Sequence, residues 1–264
     1  MEVPGKVTNR SRLLLLFFGV FPSLGAVYKS DNFRVEAPTL TIARQLGEAA
    51  EQCRKEQALA WLEKELPGWP QPCSIEVKIA LDGRGGCSTF TFDKGKVICR
   101  SIVLEGSLDH LLTSVLAHEI AHTIFADYFG RALLRWADEG GAIVSSCAAD
   151  GRWYNKLSHE ITNTPGRAML LRRLLSCRDY PDDVTALYSQ SYSLVKFLVD
   201  SKGKPAFLAF VARGMQEDDW DEAVRVYYGF HSLEKLERAW LRQQKEADSR
   251  PSVLLTNPGA QPDR

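Results

Sequence analysis

The spacing of apolar positions divides the chain into helical and extended segments. Between Thr39 and Leu66, Ile42, Leu46, Ala49, Cys53 and Leu59 recur at helical intervals, and Pro67-Gly68 ends the run. Ser74–Leu81, Ser88–Asp93 and Lys96–Leu104 are rich in β-branched and aromatic residues between glycine-containing turns, which predicts three strands, with Lys94-Gly95 as the hairpin loop. Leu108 to Phe129 is apolar on almost every face (Leu111, Leu112, Val115, Leu116, Ile120, Ala121, Ile124, Phe125), the pattern of a buried central helix. Further helices are predicted over 139–149, 164–176, 181–201, 205–215, 220–228 and 232–247. The fold class is therefore α+β: an N-terminal helix and small sheet, a central helix, then a mostly helical subdomain.

Polar residues inside that central helix change the picture. His118-Glu119-Ile120-Ala121-His122 places two imidazoles four residues apart, about 40° apart in azimuth, so they project side by side and can share one metal ion. Buried polar groups need partners, and a cation bound by imidazoles and an acid satisfies them together. Glu119 falls beside the ion, where it can hold and deprotonate a water that zinc has acidified.

The third ligand sets the subclass. A metzincin would need glycine and histidine where Phe125 and Tyr128 stand. Glu139 remains, seventeen residues after His122 in Trp136-Ala137-Asp138-Glu139-Gly140. A helix ending near Gly130 and a second starting around Arg135 would fold Glu139 back against the histidines.

The pair HEIAH and WADEG resembles the gluzincin metallopeptidases, the thermolysin and aminopeptidase N superfamily, and most closely the compact peptidase MA-like group. The resemblance implies a gluzincin catalytic fold, one Zn2+ held by His118, His122 and Glu139, and Glu119 as general base. Asp138 is an alternative ligand or a partner for an imidazole. Leu187 to Val195 is similar to the tyrosine-bearing helix of that group, so Tyr188 or Tyr192 would donate to an oxyanion, with Tyr188 favoured. In gluzincins the strand before the metal helix is an edge on which substrate lies extended, a role that would fall to 97–104. The aminopeptidase Gly-x-Met-Glu-Asn signature is absent before the metal helix, so aminopeptidase specificity has no support. His231, beside Gly229-Phe230 and before Ser232, reads as a solvent-facing loop residue.

Composition is that of an ordinary folded enzyme, with 264 residues, 45% hydrophobic and 25% charged. The 33 basic and 33 acidic residues leave no global field for nucleic acid. Lys6, Arg10 and Arg12 precede an uncharged run from Leu13 to Phe21, then Pro22, Gly25 and Ala26, the pattern of a secretory signal peptide cleaved near Ala26. That run is far short of the roughly twenty residues of a membrane span, so an uncleaved anchor is the weaker alternative. The domain organisation expected is a signal peptide over 1–26, one catalytic domain over 27–247 (27–106 and 107–247 as its two parts) and a disordered tail over 248–264. Cys53, Cys73, Cys87, Cys99, Cys147 and Cys177 permit disulfides in an exported protein, but a simple hairpin register puts Cys87 and Cys99 too far apart to bridge.

The function expected is an exported zinc metallopeptidase acting on peptide or protein substrates. The alternatives are a zinc hydrolase acting on a non-peptide bond and a catalytically silent zinc-binding protein on the same fold.

Overall fold

The computed structural model describes residues 25–81 and 85–248. The signal segment therefore lies outside the described residues up to 24, and the tail from 249 onward. Cleavage near Ala26 would fall at the first residue of strand β1 (Ala26–Lys29).

Two short strands that the apolar spacing did not mark, β1 and β2 (Phe33–Ala37), open the fold as an antiparallel pair. Helix α1 (Leu40–Leu62) follows, with the Thr39 hydroxyl accepting from the Ile42 amide at its start. It stops four residues before the expected end, because Glu63 takes the left-handed cap conformation with its amide on Leu59 O. Strands β3 (Cys73–Ile79), β4 (Gly85–Asp93) and β5 (Lys96–Gly106) complete a five-stranded sheet of order β1-β2-β3-β5-β4. β2, β3 and β5 run parallel, while β4 returns antiparallel on β5 through the Lys94-Gly95 turn, where both residues have positive φ.

This order corrects the expected place of the edge. The segment 97–104 lies within β5, which is hydrogen-bonded to β3 on one side and β4 on the other. The long excursion before β5 lets it pair parallel with β3, and its hairpin partner β4 becomes the outer strand. The cysteine register also shifts. A bulge between Thr91 and Phe92 sets Cys99 opposite Thr91, and Cys87 lies opposite Val103. All six cysteines are free thiols.

After the sheet, the turn α2 (Leu108–His110) and a π-helical turn over Leu111–Val115 lead without a break into α3 (Leu116–Phe129). Gly130 ends α3 in the left-handed conformation, pressed against Gly95 O, where any β-carbon would clash. α3 is apolar on nearly every face because it has a core on either side. Leu111, Val115, Leu116 and Ile120 pack with Phe33, Ile75, Ile102 and Leu104 of the sheet and Leu46 of α1. Ala121, Ile124 and Phe125 pack into the helical core with Trp61, Trp136, Leu194 and Phe207. Trp61 meets Phe125 edge to face at 4.9 Å.

The helical part is α4 (Arg135–Ser145), α5 (Ala148–Thr162), α6 (Leu171–Leu175), α7 (Val184–Lys202), α8 (Lys204–Glu217), α9 (Trp220–Tyr228) and α10 (Leu233–Asp248). Two expected helices are redrawn. The one over 139–149 begins earlier and breaks after Ser145, where α5 takes over. The one over 164–176 shrinks to the five residues of α6, because the chain turns at Pro165-Gly166, with Gly166 at positive φ and the Arg167 amide bonded to Thr164 O.

Two adjacent glycines bring α4 into place. A β-carbon on Gly140 would fall 2.6 Å from Ser191 O of α7, and one on Gly141 would fall 2.7 Å from the Phe125 ring of α3. α4 is thereby wedged between α3 and α7 at a spacing that larger residues would not allow.

Candidate metal centre

α3 presents His118 and His122 on one face, and α4 returns Glu139 against them. His118 Nε2 and His122 Nε2 lie 3.2 Å apart, and Glu139 Oε2 is 3.4 Å from the first and 3.7 Å from the second. A tetrahedral zinc ion with bonds of about 2.0–2.1 Å to nitrogen requires donors about 3.3–3.5 Å apart, a range that the three separations bracket, so the donor set is compatible with zinc. Among the described residues these three are the His, Cys, Asp or Glu side chains whose donor atoms converge, and a tetrahedral ion held by them would have a fourth position open.

Asp138 is brought to the site in the second of the two roles open to it. Its Oδ1 lies 2.7 Å from His122 Nδ1, the ring nitrogen turned away from Glu139. That contact keeps the proton on Nδ1 and leaves Nε2 free to ligate. The other oxygen of Glu139 is also engaged, since the Tyr180 hydroxyl donates to Oε1. Glu139 is thus left with one oxygen toward the histidines.

The electrostatics of the cluster call for a cation. Burial works against a charge on His122, yet Asp138, Glu139 and Glu119 outweigh it and push the imidazole up to about 10. Burial would raise the Glu139 carboxyl, but the His118 hydrogen bond, the charge of the imidazoles and the Tyr180 hydroxyl hold it down to about 2. Three carboxylates around two imidazoles are an anionic donor set, which a divalent ion neutralises better than a proton does.

Glu119 is buried in the floor of the same cavity, with its Oε2 accepting from Ser88 Oγ at 2.5 Å. Strand β4 approaches so closely that a β-carbon on Gly86 would lie 2.6 Å from Glu119 Oε1. Glycine is needed there for the Glu119 carboxylate to fit under the strand. The cavity, of about 290 Å³, is lined further by Phe90, Phe92, Leu133, Arg131, Arg135, Tyr180 and Tyr188. It lies between sheet and helical part with α3 beneath, and its sheet-side wall is β4.

The two tyrosines of α7 part company. Tyr188 faces the metal cavity, whereas Tyr192, one turn further on, lines a separate cavity of about 750 Å³ and lies so near Gly151 that a β-carbon there would touch its hydroxyl. Tyr154 stands between them, its ring centroid 6.4 Å from that of Tyr188 and 6.3 Å from that of Tyr192. The two are four residues apart and share a face of α7, but the rise of one turn and the intervening ring of α5 separate them. Burial and the Glu139 charge push the Tyr188 phenol up to about 12, which keeps it a proton donor at neutral pH. His231 is exposed in the turn before α10, as its surroundings suggested.

Ser88, Gly86 and Tyr180 were not singled out from the sequence. Tyr180 sits in a connection just before Pro181, where no periodicity marks it. Ser88 and Gly86 are legible only once β4 is known to border the metal helix.

No curated protein matches the chain. A family model described as the peptidase MA superfamily matches residues 88–245, more than half of the chain, from the cavity strand β4 through the metal helices into α10. The chain belongs to the peptidase MA superfamily.

Proposed function

We propose that this member of the peptidase MA superfamily is an exported zinc-dependent peptidase, in which His118, His122 and Glu139 hold one Zn2+ and Glu119 is the general base. The observation that carries this reading is the convergence of three donors at 3.2–3.7 Å with Glu119 on the same cavity and the fourth metal position left to solvent or substrate. A purely structural zinc site would be closed by a fourth protein ligand.

A zinc ion held there supplies Lewis acidity, which acidifies a water and polarises a carbonyl. The chain's own residues do the remaining work. Glu119 takes the proton of the attacking water on one carboxylate oxygen while Ser88 steadies the other, and it then delivers that proton to the departing amine. Tyr188, protonated at neutral pH and turned into the cavity, donates to the oxygen on which negative charge develops. Asp138 and Tyr180 act through His122 and Glu139, holding each in its ligating orientation. Support for export comes from the basic and apolar pattern before Ala26.

The test is metal content by mass spectrometry on the purified protein beside Glu119→Gln and Glu139→Ala, with casein and mixed-peptide cleavage on the same samples. One zinc in the wild type and in Glu119→Gln, much less in Glu139→Ala, and cleavage lost in both variants is the expected result. Stoichiometric zinc with cleavage only of ester or lactam substrates would replace the peptidase reading with that of a different hydrolase, and no zinc in the wild type would overturn the site.

A further inference from the structure

Each acid of the metal cavity is matched within the protein. Asp138 holds His122, Glu139 faces both imidazoles and Tyr180, and Glu119 accepts from Ser88. The cations of the cavity are not so matched. Arg131 and Arg135 line it, and among the described residues no carboxylate forms an ion pair with either. Arg135 is held in a fixed attitude, its guanidinium 4.3 Å over the Tyr180 ring with Nη1 donating to the hydroxyl at 3.3 Å, while its Nε is buried without a partner.

We propose that the cavity selects peptides carrying a carboxylate within one or two residues of the scissile bond, with Arg131 and Arg135 receiving that group. This rests on the peptidase reading of the site and adds a substrate class to it. The guanidinium presents its N–H groups in a planar fork that matches a carboxylate, and stacking on Tyr180 fixes the plane in advance. Tyr180 bridges Arg135 to the ligand Glu139, so the arginine stands one aromatic ring from the metal donors. An extended peptide advances about 3.3 Å per residue, which brings a side chain or terminus one or two residues from the reacting carbonyl into reach. Phe90, Phe92 and Leu133 provide apolar wall for the rest of the segment. Two sources bring the required group: an Asp or Glu side chain, or the free C-terminus of a short peptide.

Four fluorogenic peptides of one parent sequence distinguish these: neutral with an amidated C-terminus, the same with Glu near the scissile bond, the same with Lys there, and the neutral peptide with a free C-terminus. Their kcat/KM on the zinc-loaded wild type and their Kd on the uncleaving Glu119→Gln variant are both measured. The Glu peptide or the free-carboxylate peptide is expected to be favoured at least about tenfold over the amidated neutral one in both measurements, the scale of a charge-assisted hydrogen bond. Arg131→Gln and Arg135→Lys should shrink that ratio, and Arg131→Glu should shift preference toward the Lys peptide. Equal kcat/KM and Kd for acidic and neutral peptides would overturn the proposal and leave the peptidase intact. A binding preference without cleavage of any peptide would remove the peptidase reading and keep carboxylate recognition, and the absence of both would remove both.

Discussion

His122 stands with its Nδ1 2.7 Å from Asp138 Oδ1, on the ring edge turned away from the ligand cluster. Asp138 and Glu139 are neighbours in the chain, yet one grips the imidazole from behind while the other meets it in front, because successive helical side chains point about 100° apart. Replacing Asp138 with Asn preserves the shape and removes the charge that sets the tautomer. Zinc affinity should fall about ten- to a hundredfold, measured by competition with a chromophoric chelator, while the far-ultraviolet circular dichroism stays that of the wild type.

The three tyrosines near the centre should separate by readout. Tyr180→Phe removes the donor to Glu139 Oε1, so it should weaken zinc retention on dialysis. Tyr188→Phe should keep the metal and lower kcat by about tenfold to a thousandfold, the range for one oxyanion donor. Tyr192→Phe should retain both, since its ring lies in the other cavity. A kcat loss in Tyr192→Phe equal to that in Tyr188→Phe would contradict the assignment.

Exchanging glycine for alanine inside a helix ordinarily stabilises by about 0.5–1 kcal/mol. Gly140→Ala should do the opposite, because its β-carbon would meet the main-chain oxygen of Ser191 at 2.6 Å, a contact only backbone movement can relieve. Overpacking of this kind costs about 1–3 kcal/mol. Moving α4 away from α7 also moves Glu139, so Tm and zinc affinity should drop together in thermal melts run with and without added zinc.

The thiols offer a chemical map of burial. Desolvation pushes Cys53 up to about 11 despite its bond from Gln57, and Cys73 up to about 12, so at pH 8 only about one in a thousand or fewer of either is thiolate. Cys87 and Cys99 are exposed. Iodoacetamide at pH 8 should modify those two first, with Cys53 and Cys73 reacting only after unfolding, as read by peptide mass mapping.

The parts of this centre that could be read from the chain are those whose chemistry is local. His118, Glu119 and His122 lie on one helix, so spacing alone gives their geometry. Glu139 was reachable because Gly130 ends that helix and a short connection leaves little choice of return. Gly86 and Ser88 were out of reach because they meet Glu119 only through sheet order, and the edge position of β4 follows from β5 pairing parallel with β3 across a long excursion. β1 and β2, at four and five residues, are shorter than the window in which periodicity is felt. The break between α4 and α5 at Ser146 and Cys147 carries neither proline nor glycine, and without either the two helices read as one.

The histidine helix has one flank in each of the two cores, and this bears on how a metal ion would be taken up. In a zinc finger the chain folds only when metal arrives, so gathering the donors and building the structure are a single event. Here the donors span positions 118 to 139, and that loop is closed by the packing of Leu116, Ile120, Ile124, Phe125 and Trp136, none of which is among the three donors. On the proposed function, the centre is expected to act as a rigid chelate on a scaffold that holds itself together. A chelator should strip zinc and activity while the tertiary signal persists, and readdition should restore activity at the speed of ion diffusion and ligand exchange, with no refolding phase.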